Sequence, residues 1–310
     1  MACILVVEDS PTHTALMKSL LVDAAHQVDC ATNGREALDR LEKAQAKASG
    51  SNMPDLVVTD LRMPEVNGQE LVQEISKRFP QLPTVVVTAR GSENLAVDAL
   101  ALGAANFVPK NLFSKLLVRV IRQTLELSRC DSIFRGFNGQ LTRPEFSFTL
   151  KNDLSSIEPA VLYLVQSLAA STHLNPTQRI RVGTAAASAL FSAMCYGNLE
   201  LQDDEGSSVT RLLSGEDSGI HDLNARAAEE PFAKRSVSLK VSIDQADTRV
   251  LVSHSGPGRL TRMSPAPGTP ESFELEQCRG LMLMTSFMDD VIFQSGYSEV
   301  VMVKNHEPLG

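Results

Sequence analysis

The chain has 310 residues, 43% hydrophobic and 21% charged, enough to fold throughout as two ordinary domains. A net charge of −8 with no local basic cluster excludes broad nucleic-acid binding, which rests on Lys and Arg neutralising phosphates. Five scattered cysteines without a C-x-x-C pair, no leader-like N-terminus, and a longest weakly polar stretch (Val182 to Tyr196) too short to span a bilayer point to a reduced, soluble, cytoplasmic protein.

Residues 1–127 alternate strand and helix five times. The expected strands are Cys3–Val7, Gln27–Ala31, Asp55–Thr59, Thr84–Thr88 and Asn106–Val108. Between them the apolar residues recur at helical spacing: Leu16, Leu20 and Leu21; Ala37, Leu38 and Leu41; Leu71, Val72, Ile75 and Phe79; Leu95, Ala99 and Leu102; Leu116, Leu117, Val120 and Ile121. Alternating units of this kind predict a doubly wound parallel sheet with helices on both faces. The Val-rich central strands fit burial on both sides.

Polar groups collect at the strand ends. Glu8 and Asp9 follow the first strand, Asp60 the third and Lys110 the fifth, while Thr88 ends the fourth. Open α/β sheets keep their chemistry at the carboxyl ends of their strands, so these residues are expected to converge. Clustered carboxylates suit a hard cation such as Mg2+. With charge on an incoming phosphoryl group neutralised, a carboxylate can act as nucleophile. Lys110 offers a compact positive charge for a phosphoryl oxygen.

Four segments carry a resemblance: Ile4-Leu5-Val6-Val7-Glu8-Asp9-Ser10, Val57-Val58-Thr59-Asp60-Leu61-Arg62-Met63-Pro64, Val85-Val86-Val87-Thr88-Ala89, and Gly103-Ala104-Ala105-Asn106-Phe107-Val108-Pro109-Lys110. Together they resemble the receiver domain of two-component response regulators, a flavodoxin-like fold, across residues 2–127. The resemblance implies that Asp60 is the phosphoacceptor. It implies Asp9, Asp60 and the Arg62 backbone carbonyl as Mg2+ ligands, with Glu8 nearby or acting through water. Thr88 and Lys110 would sense the phosphoryl group, and Phe107 would turn inward as Thr88 moves. The family usually has proline after the lysine. Here Asn111 follows it and Pro109 precedes it, so a cis bond after Lys110 is not expected.

Asp, Ser, Gly, Asn and Pro gather over residues 128–143, which read as a linker. Beyond it, residues 144–310 follow a different pattern. Phe146–Leu150 reads as a strand, and Ile157–Ala170 and Gln178–Tyr196 as helices. Gln202–Ala228 reads as a polar loop. Ser236–Ile243 and Arg249–His254 alternate as an antiparallel pair turned by Asp244-Gln245-Ala246-Asp247. A helix over Leu281–Met288 and a strand over Glu299–Lys304 complete an α+β sandwich. The stripe of Met282, Met284, Phe287 and Met288 reads as core.

The helix Ala185 to Glu200, the turn His254-Ser255-Gly256-Pro257-Gly258, the segment Arg279-Gly280-Leu281-Met282-Leu283-Met284 and the stretch Ser286 to Val291 resemble the Bergerat-type ATPase domain of anti-sigma-factor serine kinases and histidine kinases. The departures are chemical. Aligned on Gly197-Asn198-Leu199-Glu200, Ser188 stands where that family has a catalytic glutamate and Ser192 where it has a magnesium-binding asparagine. His254 replaces the adenine-binding aspartate, and Cys278 replaces a glycine ahead of Arg279-Gly280. Losing one well-placed charged hydrogen bond costs ~1.5–3 kcal/mol, and three such losses put ATP binding outside a useful range. The expectation is a degenerate nucleotide site at Ser188, Ser192, His254, Gly256, Gly258, Arg279 and Gly280, in a pseudo-kinase output domain.

Read together, the two halves give a response regulator that takes a phosphoryl group from a sensor histidine kinase or phosphotransfer protein, with Mg2+ and without ATP. The expected output is contact with a protein partner, by resemblance a sigma factor or an anti-sigma antagonist, without direct nucleic-acid or membrane binding. The alternatives are an active serine kinase gated by the receiver, and a scaffold whose output is homodimerisation.

Overall fold

A computed structural model describes residues 1–46, 53–89, 93–133, 143–171, 174–201, 217–257 and 276–306, with Val209, Leu212 and Leu260 singly. The chain divides into two compact units, Met1–Ser128 and Arg129–Gly310. No helix among the described residues is long and apolar enough to cross a membrane.

In the first unit, β1 (Cys3–Val7), β2 (Gln27–Ala31), β3 (Leu56–Asp60), β4 (Thr84–Thr88) and β5 (Asn106–Pro109) alternate with α1 (Pro11–Asp23), α2 (Gly34–Ala46), α3 (Gly68–Arg78), α4 (Glu93–Leu102) and α5 (Phe113–Ile133). Every strand pairing is parallel, in the order β2-β1-β3-β4-β5. This is the flavodoxin-like doubly wound sheet expected from the alternation. β3 and β4 are buried at every position, as their Val-rich sequences require. From β1 the chain goes first to β2 on one side and then to β3 on the other. That reversal opens a crevice beyond the carboxyl ends of β1 and β3.

Three local expectations are corrected. The buried face of α1 is Met17 and Leu21, whereas Leu16 is 44% exposed. Three consecutive turns of a helix admit more than one apolar stripe, and Met17 with Leu21 forms the i, i+4 pair that faces inward. Asp60 is the last residue of β3 rather than the first beyond it. α5 continues through Ile133, six residues past the expected end of the first domain, because nothing in Ser128–Ile133 breaks a helix. Residues 134–142 of the expected linker lie outside the described residues.

The second unit is built from β6 (Glu145–Leu150), α6 (Ile157–Ser171), α7 (Pro176–Ser192), α8 (Asp217–Ala228), β7 (Val237–Ile243), β8 (Asp247–His254), α9 (Glu276–Phe287), β9 (Asp290–Gln294) and β10 (Glu299–Asn305). Its five strands form an antiparallel sheet in the order β6-β7-β8-β10-β9. β7 and β8 pair as expected, and Asp244 Oδ1 closes their turn by accepting from the N–H groups of Ala246 at 2.8 Å and Asp247 at 3.0 Å. Val237, Leu239, Val241, Ile243, Val250, Val252, Val300 and Met302 are buried, while the residues between them are more exposed, so one face of the sheet forms the core. α6 and α9 pack on either side of α7. Met282, Met284, Phe287 and Met288 are buried, in keeping with a core stripe.

α7 starts at a reciprocal cap. Asn175 Oδ1 accepts from the N–H of Gln178, whose side chain accepts from the N–H of Asn175, and Pro176 takes the first helical position. The helix does not run on as α to Tyr196. Its last turn, Ala193–Asn198, is π-helical. Two further differences concern elements. The polar segment expected as a loop over Gln202–Ala228 ends in helix α8, and residues 202–208, 210–211 and 213–216 lie outside the described residues. Edge strand β9 carries only five residues, partly exposed, too short a pattern to stand out beside the α9 stripe.

Candidate functional site

Three strand ends of the first unit make an acidic pocket. Directly after β1 come Glu8, 2% exposed, and Asp9, which is exposed. β3 ends on Asp60, 6% exposed. Each of the three offers a carboxylate oxygen, and those atoms lie within 4.8 Å of one another. Lys110 reaches in from just beyond β5. Its Nζ donates to Glu8 Oε2 at 2.8 Å and to Asp60 Oδ2 at 2.9 Å, with Glu8 Oε1 at 3.2 Å. Burial alone would lower the Lys110 pKa. The hydrogen bonds it donates to Glu8 and Asp60, with their negative charges, outweigh it and hold the lysine above its ordinary value.

The backbone after β3 fixes the direction of Asp60. Its Oδ1 accepts from the N–H of Leu61 at 2.8 Å, so both carboxylate oxygens are committed. The turn closes when the N–H of Gly68 donates to the carbonyl of Leu61 at 3.0 Å. A Cβ on Gly68 would stand 2.0 Å from the Asp60 carbonyl oxygen, so only glycine fits. Within the turn, Glu65 takes a left-handed φ of 65°. The side chain of Asn67 then caps α3 in a reciprocal box with Glu70.

The remaining residues singled out in the sequence lie on β4, on β5 and in the turn after β3. Thr88, 3% exposed, ends β4, the strand that pairs with β3 through Asp60 and Val87. Phe107 is fully buried in β5, opposite Val86 of β4. Arg62 is exposed in the turn, two residues beyond Asp60. Three carboxylates against one ammonium leave an excess of negative charge at the pocket, and its hard oxygen donors fit a divalent cation such as Mg2+.

One neighbour was missed by sequence reasoning. His13 Nδ1 lies 3.2 Å from Lys110 Nζ and 3.3 Å from Glu8 Oε1. The signal was available: Ser10-Pro11 is a helix-start signature, which puts residue 13 in the first turn of α1, directly beside the end of β1.

In the second unit the singled-out residues fall into two groups. Ser188 and Ser192 share the face of α7 that meets α9. A Cβ on Gly280 would lie 3.6 Å from Ser188 Cβ and 3.7 Å from Ser192 Oγ. Arg279, 4% exposed, precedes Gly280 in the same helix. His254 and Gly256 instead pack on the π-helical end of α7. A Cβ on Gly197 would meet the His254 ring at 2.5 Å, and one on Gly256 would meet the Gly197 carbonyl oxygen at 2.3 Å. Gly258 lies outside the described residues.

Asn198 ties the second group together. It is fully buried. Its Oδ1 accepts from the N–H of Gly256 at 2.9 Å, and its Nδ2 donates to Asn152 Oδ1 at 2.7 Å. Asn152 passes the chain on to the carbonyl of Phe232 at 3.0 Å. Arg235 donates to the Asn198 carbonyl and to Glu200 Oε1. His254 is 8% exposed and its ring nitrogens are buried without a partner at hydrogen-bond geometry. Burial lowers its pKa and the Arg235 charge adds to this, while backbone groups of Tyr297 and Gly256 oppose the shift in part.

Comparison with known proteins bears on the first unit. Residues 4–122 match the family described as the response regulator receiver domain. The chemotaxis protein CheY of Thermotoga maritima is 32% identical over 108 residues, covering 34% of this chain and 83% of that protein. The transcriptional regulatory protein ZraR of Klebsiella oxytoca is 36% identical over 114 residues, 36% of this chain, and the match spans only 24% of ZraR's own length. Among solved structures, the response regulator TrrA of Thermotoga maritima in complex with Mg2+ and BeF is 31% identical, with a TM-score of 0.34 over 39% of this chain and 98% of that one. With the strand order, the acidic pocket and the CheY match in agreement, the chain belongs to the two-component response regulators, with its receiver domain at residues 4–122.

Proposed function

We propose that Asp60 is the phosphoacceptor of this response regulator and that a sensor histidine kinase or phosphotransfer protein supplies the phosphoryl group. The observation that carries the reading is the Lys110 ammonium bridging Asp60 and Glu8 at the ends of three parallel strands. An Asp60 carboxylate oxygen forms the new bond to phosphorus while the bond from phosphorus to the donor's nitrogen breaks, the electron pair leaving with that nitrogen. Asp9, Asp60 and the Arg62 carbonyl would hold Mg2+, with Glu8 beside them, and the cation would offset the phosphoryl charge. Lys110 and Thr88 would then meet phosphoryl oxygens, and Phe107, already buried, would report the change to the surface.

The experiment is labelling of the full chain by phosphoramidate with Mg2+. Wild type is expected to take up one phosphoryl group and Asp60→Asn none. Equal labelling of both would overturn the assignment.

For the second unit we propose a degenerate Bergerat-type ATPase fold kept as a protein-binding surface, so that the chain reads as receiver 1–127, connection 128–143 and output 144–310. What supports this is the seam between α7 and α9. Ser188 and Ser192 face Gly280 there with no more than van der Waals clearance for one added carbon. Neither serine can act as a carboxylate base. The expected partner is a sigma factor or an anti-sigma antagonist, whose binding would depend on the state of Asp60. Titration of the full chain with ATP and Mg2+ should show no binding at micromolar concentrations. Micromolar binding, or transfer of phosphate to serine or threonine, would overturn the pseudo-kinase reading.

A further inference from the structure

We infer that His13 is a positioning residue for Lys110, its Nδ1 lone pair serving as the third acceptor that keeps the lysine ammonium aimed into the Asp60 pocket. The inference rests on the phosphoacceptor reading of Asp60 only for its functional consequence; the contact itself is independent of it.

An ammonium has three hydrogens and no lone pair. Two are directed at Glu8 Oε2 and Asp60 Oδ2, at 2.8 and 2.9 Å. His13 Nδ1 and the second Glu8 oxygen, Oε1, each stand 3.2 Å from the same nitrogen, and His13 is the one further residue within reach of the remaining hydrogen among the described residues. An ammonium can only donate, so we assign the Nδ1 lone pair to Lys110 and the ring hydrogen to Nε2. In that tautomer the 3.3 Å approach of Nδ1 to Glu8 Oε1 is a contact of two acceptors around the same ammonium rather than a bond between them.

The ring is held in place from both sides. The His13 backbone N–H donates to the Ser10 side chain that caps α1. The imidazole meets Phe113 edge to face, with centroids 6.3 Å apart and planes at 78°. Phe113 opens α5, three residues after Lys110, so the first turns of α1 and α5 both fix the acceptor that the lysine uses.

His13 differs from the other two acceptors in what the reaction does to them. A phosphoryl group on Asp60 turns a carboxylate oxygen into the bridging oxygen of a mixed anhydride, a weaker acceptor, and Lys110 must re-aim from it to a phosphoryl oxygen. Glu8 belongs to the cluster whose charge a cation would alter. His13 neither takes the phosphoryl group nor belongs to the carboxylate cluster, so it takes no part in either change. It is a fixed pivot about which the ammonium can turn without leaving the pocket.

The test uses the full chain with two substitutions. His13→Phe keeps a ring against Phe113 but removes the acceptor. His13→Asn can place an amide oxygen where Nδ1 stands. The first readout needs no phosphorylation: hydrogen exchange of the Lys110 ammonium, followed by proton–nitrogen NMR on lysine-labelled protein. Exchange is expected to be about three- to tenfold faster in His13→Phe, the worth of one ordinary hydrogen bond, and to return most of the way in His13→Asn. The second readout is the rate of labelling by phosphoramidate with Mg2+, which should fall and recover in the same order. Wild-type exchange in His13→Phe, or equal acceleration in both variants, would overturn the inference, because a purely packing role does not distinguish an acceptor from a phenyl ring. Failure of Asp60 labelling in the wild type would overturn the phosphoacceptor reading instead, and the exchange measurement would still decide His13.

Discussion

Lys110 Nζ and Asp60 Oδ2 stand 2.9 Å apart although 50 residues separate them in the chain. The same ammonium holds Glu8, 102 residues away, at 2.8 Å. The contacts join the ends of β1, β3 and β5, so the sheet order that makes the crevice also assembles the charges. The side chains of Glu8, Asp60 and Lys110 are only 0%, 8% and 14% exposed, which makes each charge dependent on the others.

That dependence predicts a measurable coupling. Lys110→Met leaves two buried carboxylates facing one another without their cation. Breaking a buried pair by removing one partner costs on the order of 3 kcal/mol, and the first unit should lose about that much stability in the absence of divalent cation. Adding Glu8→Gln to Lys110→Met should recover part of the loss, since one of the stranded charges is gone. Calorimetric unfolding of the two single variants and the double variant measures it. Additive losses would mean that Lys110 and Glu8 do not share an interaction.

The turn after Asp60 should be equally intolerant. Gly68→Ala would drive a Cβ to 2.0 Å from the Asp60 carbonyl oxygen, and backbone cannot swing aside as a flexible side chain can. The expected cost is about 1–3 kcal/mol, as for overpacking generally, with slower labelling of Asp60 because its carboxylate direction is set by this turn. Wild-type unfolding temperature and labelling rate in Gly68→Ala would show that the turn relaxes freely.

These two regions differ in how far the sequence revealed them. The strand ends were legible because a period-2 or fully apolar run that stops at an acid marks a location, and topology does the rest. His13 was harder to see, because a lone histidine in a helix carries no pattern of its own and only its cap position hints at where it points. In the second unit the hairpin of β7 and β8 was plain from alternation. β9 was not, because a partly exposed edge strand lacks a buried set of residues. Asn198 showed in the sequence only as an alignment marker. Its role in joining Gly256, Asn152 and the end of α7 depends on three segments that meet only in the fold.

Glu36 predicts a local pH dependence in the first unit. It stands in the first turn of α2, where Oε2 accepts from the Thr32 N–H at 2.8 Å and hydroxyl at 2.9 Å and Oε1 from Arg40 at 2.8 Å. The Thr32 N–H, then Arg40, then the Thr32 hydroxyl hold its carboxyl at about 2 against an ordinary 4.5. A depressed carboxyl stabilises the fold above its unfolded value, and the gain is lost as pH falls from 4.5 toward 2. The group is solvated, so screening limits the effect to about 1 kcal/mol at neutral pH. Glu36→Gln should be less stable than wild type by that amount at pH 7, with the gap narrowing below pH ~4.5. A Glu36 titration midpoint near the ordinary value in carbon-detected NMR would remove the basis for it.

His254 predicts a loss of the same sign in the second unit, again as pH falls but in a range closer to neutral. Its ring is packed against Gly197 so closely that no side chain could be added there, and its nitrogens are buried with no partner at full hydrogen-bond geometry, the backbone of Tyr297 and Gly256 lying near enough only to oppose the shift in part. Burial, reinforced by Arg235, pulls its pKa below the ordinary 6.5, so the folded protein holds the ring neutral. As pH falls through 6.5 the unfolded chain gains a proton that the folded chain does not. Stability conferred by the neutral ring is therefore complete above that value and declines below it, until the folded value is reached. One proton limits the slope to about 1.4 kcal/mol per pH unit. His254→Leu, which fills the space without titrating, should flatten this part of the profile for the second unit between pH 7 and 5. Carboxylates elsewhere contribute equally to both proteins, so the difference between the two profiles isolates the ring. Parallel profiles would mean that His254 takes up its proton in the folded state as readily as in the unfolded one.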